Sequence, residues 1–250
     1  MRGLGLAILL AVLQAAPSLA GDVPPETPAL FSSAKPGDGF PGQWRLRQLP
    51  NSGYAVNRFS LVKDEQGTTV LKVESRAATG ALTQPLSTDL SRTPWLLWRW
   101  KADRVVAAAD LASKDGDDYA ATLFVLFAPP ADSLGSLEAL RLDLARMVYG
   151  SDLPARALCY VWDNRHPVGT QAWNAYTERV RMIVVTTGAK AAGTWHAVAR
   201  NIAADYRQAF GADPPPVAGI AVGADTDETR QAVTAEFGDV RFAAAPPPGR

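Results

Sequence analysis

Short apolar stretches separated by turn residues recur along this chain, and they restrict its fold more than any other feature. Each stretch has the alternating or continuous apolar character of a β-strand, with glycine, proline or aspartate between stretches. The ten stretches are residues 43–48, 55–63, 69–75, 95–102, 119–127, 156–162, 180–187, 195–199, 217–224 and 236–242. Ten strands in about 200 residues are typical of a two-sheet β-sandwich or jelly roll.

Two amphipathic helices accompany these strands. Residues 137–148 have apolar side chains, mostly leucine, at helical spacing. Residues 202–210 have mixed apolar side chains at the same spacing, and Gly211 follows them. A doubly wound α/β sheet would need a helix after nearly every strand. We therefore predict a mainly β fold, a two-sheet β-sandwich that is jelly-roll-like and has two short accessory helices.

The N-terminus has the pattern of a secretory signal peptide. Arg2 supplies the positive charge, residues 4–13 are apolar, and Ser18-Leu19-Ala20 is a small-x-small cleavage site. The apolar stretch is shorter than the roughly 20 residues of a membrane span. We expect cleavage near Ala20 and a mature protein in the periplasm or outside the cell.

The rest of the chain is predicted to form one domain. We assign residues 1–20 to the signal peptide, 21–39 to a Pro-rich extended segment, 40–242 to a single β-sandwich domain and 243–250 to a loose Pro-rich tail. No later stretch is long and apolar enough to span a membrane.

Composition excludes several classes of function. Lys+Arg and Asp+Glu both number 25, and loss of Arg2 leaves a net charge of −1, so nothing favours nucleic acid as a partner. The single cysteine, Cys159, excludes an internal disulfide and lies in a strand-like run that favours a buried, inert thiol. Two histidines leave little for a zinc site.

An acidic loop follows the apolar stretch 217–224. Asp225, Asp227 and Glu228 are close enough in sequence to repel one another, so they need cations, backbone N–H groups or a metal. Ca²⁺ accepts carboxylate ligands without strict geometry, which makes Asp225 and Asp227 candidate metal ligands. The alternative is an acidic turn neutralised by Arg230.

A second acidic cluster precedes the stretch 119–127. Residues 115–118 read Asp-Gly-Asp-Asp, which lacks the spacing of an EF-hand loop. A solvated loop is one interpretation. Because Asp117 and Asp118 adjoin the end of a strand, we also consider Asp118 a candidate to face inward.

The stretch 95–102 has two different faces. With a period of two, Trp98 and Trp100 share one face, which should be core, while Arg99 and Lys101 share the other. Those cations can point to solvent or pair with the carboxylates above. The predicted ligand-binding residues are Arg99, Lys101, Asp117, Asp118, Asp225 and Asp227.

Tryptophan is frequent, with seven residues, and an exposed indole can stack on a sugar ring. Strand context predicts that Trp98, Trp100 and Trp162 are buried. The three that flank loops, and are therefore better candidates for a sugar platform, are Trp44, Trp173 and Trp195.

Several motifs together resemble a known family. They are Trp-Arg-Trp-Lys at 98–101, Asp-Asp-Tyr at 117–119, Leu-Cys-Tyr-Val-Trp at 158–162, Arg-Asn-Ile…Asp-Tyr…Ala-Phe-Gly at 200–211, Asp-Thr-Asp…Thr at 225–229 and Ala-Glu-Phe-Gly-Asp-Val at 235–240. In this order they resemble the exported bacterial proteins of domain-of-unknown-function family 3047, over roughly residues 40–242. The resemblance implies no activity.

Three classes of function stay open. The leading hypothesis is an exported, non-catalytic β-sandwich that binds a small polar ligand or a glycan, with Ca²⁺ as a candidate cofactor. One alternative is a carboxylate-dependent enzyme that acts on cell-envelope glycans, with an Asp pair as acid and base. The other is a structural or protein-interaction module.

Overall fold

A computed structural model describes residues 25–47, 53–128 and 156–248, and these form two large β-sheets packed face to face. The predicted mainly β sandwich is therefore confirmed. The strands are β1 Arg45–Arg47, β2 Ala55–Val56, β3 Arg58–Lys63, β4 Thr69–Arg76, β5 Ala78–Thr79, β6 Ala81–Thr88, β7 Trp95–Ala102, β8 Tyr119–Phe127, β9 Arg156–Asp163, β10 Gln171–Asn174, β11 Thr177–Thr187, β12 His196–Asn201, β13 Val217–Asp225, β14 Ala232–Phe237 and β15 Arg241–Ala243.

The seven-stranded sheet has the order β1-β6-β13-β8-β9-β11-β10, and all its pairs are antiparallel except the parallel pair β9 and β11. The six-stranded sheet has the order β12-β7-β14-β4-β3, with β15 also paired to β7. Strands β2 and β5 form a small separate ladder. Among the described residues, no helix is long and apolar enough to cross a bilayer.

Aromatic side chains fill the space between the sheets. Trp98 and Trp100 point inward from β7, as their spacing predicts, and their rings meet edge to face at 5.5 Å. Trp98 also contacts Tyr160, and Trp100 contacts Trp162, both on β9. Each fully buried aromatic side chain stabilises the fold by about 1.5–3 kcal/mol, so this cluster holds the two sheets together.

One helix, α1 (Ile202–Phe210), lies within the described residues and confirms the second predicted helix. The Asn201 side chain caps its first turn by accepting a hydrogen bond from the Ala204 N–H. Gly211 ends it with a φ of +67°, a conformation that glycine adopts without strain. The predicted helix at 137–148 lies outside the described residues.

The hairpin between β3 and β4 follows from its sequence. Asp64 accepts hydrogen bonds from the backbone N–H groups of Gln66 and Thr68, and Gly67 takes a φ of +77°. An Asx turn followed by glycine fixes this register locally.

Three strands, β5, β6 and β10, were missed, and two predicted strands are each divided, since the predicted strand 55–63 is β2 and β3. Strand β6 contains Pro85, which argues against a central strand, but Pro85 lies beyond the three residues that pair with β1 and opposite an irregularity in β13. Strand β10 is short and was also missed. The predicted strand 236–242 is two strands, β14 and β15, separated at Gly238.

Residues 25–39, the described part of the Pro-rich segment, lie against the sandwich, although we expected an extended linker. Phe31 is buried and packs on Trp44 with ring centroids 5.0 Å apart. The backbone of Pro25 accepts a hydrogen bond from Ser87 on β6. Burial of the Phe31 ring holds the segment against the sandwich together with this hydrogen bond, because burial removes the ring from water.

Candidate functional site

Two strand ends bring the predicted acidic residues together. Strand β8 begins at Tyr119 and its antiparallel neighbour β13 ends at Asp225, and these two residues are opposite one another. Asp117 and Asp118 therefore precede β8 at the same sheet edge where Asp225 and Asp227 end β13. We call Asp117, Asp118, Asp225 and Asp227 the carboxylate cluster.

The carboxylate cluster is buried. Asp118 is 0% exposed, Asp227 5% and Asp225 7%, so the inward orientation considered for Asp118 is confirmed. One carboxylate oxygen from each of these three residues lies within 4.8 Å of the other two. A cavity of about 30 Å³ lies at one side of the cluster, and its walls include Asp117 and Asp225. That volume holds about one water molecule or ion.

Backbone and side-chain donors hold part of the cluster. Asp118 accepts hydrogen bonds from the N–H groups of Thr229 (2.7 Å) and Glu228 (3.4 Å), which tie the loop after β13 to the start of β8. Asp117 accepts hydrogen bonds from the Tyr119 hydroxyl (3.1 Å) and from the Asn174 amide (2.9 Å).

Other oxygens in the cluster lack a partner. Oδ1 of Asp225 and Oδ1 of Asp227 are buried without any hydrogen bond, and so is the Thr229 hydroxyl. Among the described residues, no lysine or arginine forms an ion pair with Asp225 or Asp227. The expected alternative, an acidic turn neutralised by Arg230, is therefore not what the structure has. A buried carboxylate oxygen without a partner costs free energy, and a bound cation removes that cost.

The electrostatics of the cluster reflect burial and crowding. Burial raises the pKa of Asp117 to about 6. Its hydrogen bonds lower the pKa, and repulsion from Asp118 and Asp227 adds to the increase. Burial, and then a hydrogen bond with Asp227, holds the pKa of Asp225 well above its usual range. Burial likewise raises the pKa of Asp118. Without a cation these groups therefore retain protons that an exposed aspartate would release.

The donor set fits a hard cation. Three carboxylates, with the Thr229 hydroxyl nearby, are oxygen ligands of the kind that Ca²⁺ prefers, and Ca²⁺ fills its remaining positions with carbonyl oxygens or water. Neither His166 nor His196 belongs to the group, so it does not have the ligands typical of zinc.

Arg99 and Lys101 do not belong to this site, which corrects the prediction that they face the carboxylate cluster. Both point outward from β7 on the six-stranded sheet. Arg99 pairs with Asp64 at 2.5 Å, and Lys101 pairs with Glu65 and with Glu236. The acidic partners come from the β3–β4 hairpin and from β14, which the alternation of residues along β7 could not reveal.

Two tyrosines near the cluster were missed. Burial raises the pKa of Tyr54, and the next contributions come from the charges of Glu228, Asp227 and Asp225. The Tyr176 hydroxyl is 3.4 Å from Glu228 and donates a hydrogen bond to the backbone carbonyl of Lys114. Nothing in their local sequence marks these residues, because each comes from a loop that only the tertiary fold brings near β13.

Some of the tryptophan predictions are confirmed and one is wrong. Trp98, Trp100 and Trp162 are buried as expected. Trp44 is also buried, with its indole N–H donated to the carbonyl of Ala29, so it is no sugar platform. Trp195 is partly exposed on the outward side of the six-stranded sheet, where the Arg99 guanidinium lies 4.1 Å from its ring centroid. Cys159 is fully buried, as predicted.

Three solved structures to which the chain is similar at low identity are the following. The family 30 carbohydrate-binding module of a Clostridium thermocellum cellulosomal cellulase is 12% identical, with a TM-score of 0.37 over 92% of this chain and 97% of the module. Trichoderma harzianum endoglucanase 3 of family GH12 is 9% identical, with a TM-score of 0.39 over 81% of this chain and 95% of the enzyme. An arabinose-bound GH51 α-L-arabinofuranosidase is 10% identical, with a TM-score of 0.36, and the match covers 86% of this chain but spans only 25% of that enzyme.

Likenesses at this level of identity and score carry no conclusion about ligand or activity. No curated protein sequence matches this chain. The ordered motifs that suggested a family, from Trp-Arg-Trp-Lys at 98–101 to the closing pattern at 235–240, all lie in one matched region. Residues 42–241 match the family described as Protein of unknown function (DUF3047), and the chain belongs to that family.

Proposed function

We propose that this protein is an exported, non-catalytic binding module that holds Ca²⁺ at Asp118, Asp225 and Asp227 and takes a glycan as its organic ligand. Export rests on the signal-peptide pattern that ends near Ala20. Recovery of a mature protein that begins at Gly21 from the periplasm or the medium tests this part. A chain that keeps residues 1–20 in the cytoplasm contradicts it.

The observation that carries the Ca²⁺ proposal is the pair of buried, unpartnered oxygens, Oδ1 of Asp225 and Oδ1 of Asp227. Protonation of one carboxyl allows a hydrogen bond between Asp225 and Asp227, but it leaves the Asp118 carboxylate beside them without a cation. A divalent cation contacts several oxygens at once and neutralises two charges. One oxygen from each of Asp118, Asp225 and Asp227 lies within 4.8 Å of the other two, so a single ion can contact all three.

Thermal unfolding with Ca²⁺ and with EDTA tests the cation site. We expect Ca²⁺ to raise the Tm of the wild-type protein, because a ligand at 100 times its Kd stabilises the folded state by about 2.7 kcal/mol. Asp225→Asn and Asp227→Asn should abolish the response. They should also leave the EDTA-treated protein at least as stable as wild type, because each removes a repelling charge.

The matched control is Asp213→Asn, an aspartate with a side chain 85% exposed that pairs only with Arg207 on the surface. This variant should keep the full response to Ca²⁺. Equal Tm values for the wild-type protein in Ca²⁺ and EDTA, with no heat of Ca²⁺ binding by calorimetry, would contradict the cation site.

One observation favours an enzyme as the second candidate. Burial raises the pKa of Asp117 to about 6 and raises the pKa of Asp225 well above its usual range, and neighbouring carboxyls with raised pKa values are a feature of acid–base sites. The cavity that they line holds about one water, whereas a glycosidase needs an open cleft for a sugar ring. The binding function is therefore the better supported of the two.

Release of reducing sugar separates these candidates. Incubation of the protein with purified peptidoglycan, xylan and β-glucan should release no more reducing ends than the Asp117→Asn variant does. If the wild-type protein hydrolyses one of these polymers and Asp117→Asn does not, the protein is an enzyme.

A further inference from the structure

The outward face of the six-stranded sheet presents a regular row of side chains on β7 and β12. Antiparallel register places Ala197 opposite Arg99 and Ala199 opposite Leu97. On the other side of β7, Arg241 of β15 is also opposite Leu97. Small side chains therefore lie on the edge strand β12, and the two arginines lie beside them on β7 and β15.

A groove of about 380 Å³ follows from this arrangement. Leu97, Ala197 and Ala199 form its apolar floor, and Arg99 and Arg241 are in its walls. Its volume is within the range of roughly 300–1,000 Å³ that is common for small-molecule sites. An apolar floor with a few polar walls is also the usual composition of such a site.

The Arg99 side chain is fixed in position before any ligand arrives. Its guanidinium donates to Asp64, whose side chain is fully buried, and it stacks on Trp195. Its aliphatic part lies across Gly238, where an added Cβ would be 2.6 Å from the Arg99 Cγ. A side chain held in this way loses little conformational entropy when it binds a ligand.

The second arginine of the groove, Arg241, is also held by an ion pair. Arg241 donates to Asp239 at 2.9 Å, and Asp239 also accepts hydrogen bonds from the backbone N–H and hydroxyl of Ser32. Each arginine has one described carboxylate partner, so several guanidinium N–H groups are left to bind a ligand. Because each positive charge already has a negative partner, the groove has no excess charge that would attract a polyanion.

Tryptophans lie at the two ends of this outward face. Trp195 is beside Lys101 at one end of β7, with the ammonium 5.2 Å from its ring centroid. Trp95 begins β7 at the other end and points outward with Leu97 and Arg99. Six residues of strand separate Trp95 from Lys101, a length of about 20 Å. Both indoles are partly exposed.

We propose that this groove binds an uncharged, linear oligosaccharide along β7 and β12. Sugar C–H faces pack on indole and on an alanine floor, and sugar hydroxyls both donate to carboxylates and accept from guanidinium groups. The inference rests on the proposed glycan-binding function and names its site, and it does not depend on the Ca²⁺ site.

Filling the groove tests its role without removing any contact. Ala199→Phe places a ring on the floor, and Ala232→Phe adds the same ring to an exposed position of β14 on the same outward face of that sheet. The probes are cellohexaose, xylohexaose and N-acetylglucosamine hexamer, with hexagalacturonate as the charged comparison. Binding is measured by calorimetry, and the circular dichroism of each variant is compared with wild type.

We expect the wild-type protein and Ala232→Phe to bind at least one neutral hexamer more tightly than hexagalacturonate. Ala199→Phe should bind at least tenfold more weakly. Trp195→Ala, which leaves the floor intact, provides a second variant if Ala199→Phe does not fold, and we expect at least a threefold loss.

Each other result overturns a definite part of the proposal. If the wild-type protein binds no neutral hexamer, both the glycan-binding function and this groove are wrong. If it binds one, and the folded groove variants bind it as tightly as wild type does, the function stands and the groove is not the site. Stronger binding of hexagalacturonate overturns the choice of an uncharged ligand.

Discussion

Asp117 is the residue whose ionisation should be easiest to observe. Its carboxyl is 7% exposed and is hydrogen-bonded to Tyr119 and Asn174, yet burial raises its pKa to about 6. An aspartate in an unfolded chain titrates near 4. The folded protein therefore binds this proton more tightly than the unfolded chain does.

The sign of the resulting pH dependence follows directly. A raised carboxyl pKa favours folding below about pH 4, and this contribution is lost as the pH rises through about 6. In EDTA we expect Asp117 to lower the free energy of unfolding by about 2–3 kcal/mol between pH 4 and pH 7.5. Urea unfolding at both pH values measures it, with Asp117→Asn as the reference that lacks this titration.

Burial also raises the pKa values of Asp118 and Asp225, so the difference between wild type and Asp117→Asn is the informative quantity. Wild type should lose more stability than the variant as the pH rises. Parallel stability profiles for the two proteins would show that the Asp117 carboxyl is not buried as described.

At the residue scale, the alternation along β7 correctly separated the core tryptophans Trp98 and Trp100 from Arg99 and Lys101. It also led to a wrong partner for the two cations. A period of two tells which side chains share a face, but not which loop lies beside that face. The β3–β4 hairpin supplies Asp64 and Glu65 there, and its position depends on the tertiary fold.

At the scale of elements, helix α1 was predicted correctly from its apolar spacing and from Gly211 at its end. Asn201 and Gly211 bound helix α1 at both ends, and Gly67 forms the tight turn of the β3–β4 hairpin. Strand β6 was missed because Pro85 is tolerated only where its neighbours leave a gap in hydrogen bonding. Whether a proline is tolerated depends on which strands become neighbours, and the local sequence does not predict those neighbours.

The cap of α1 gives a prediction for this element. Asn201→Ala removes the hydrogen bond to the Ala204 N–H and should lower the free energy of unfolding by about 1 kcal/mol. Gln208→Ala, on the exposed side of the same helix, should change it by less than about 0.5 kcal/mol. Urea unfolding of both variants measures the difference, and equal stability would show that the cap does not hold the helix.

At the scale of the whole molecule, the two proposed sites belong to different sheets. The carboxylate cluster is built from β8 and β13 of the seven-stranded sheet, whereas the groove is built from β7, β12 and β15 of the six-stranded sheet. The sequence predicted a single site because acidic loops and a basic strand seemed complementary in charge. Their separation follows from strand order, which a list of strands does not contain.

The position of β13 also has a consequence for how the chain matures. This strand is synthesised late, yet it lies between β6 and β8 near the middle of its sheet. Strands β6 and β8 therefore cannot pair with it until it has been made. Pairing between distant segments also costs loop-closure entropy before any contact forms. The seven-stranded sheet therefore cannot be completed before β13 has been synthesised. A sheet that closes late suits the export that we propose, because a chain must be unfolded to pass through a translocation channel.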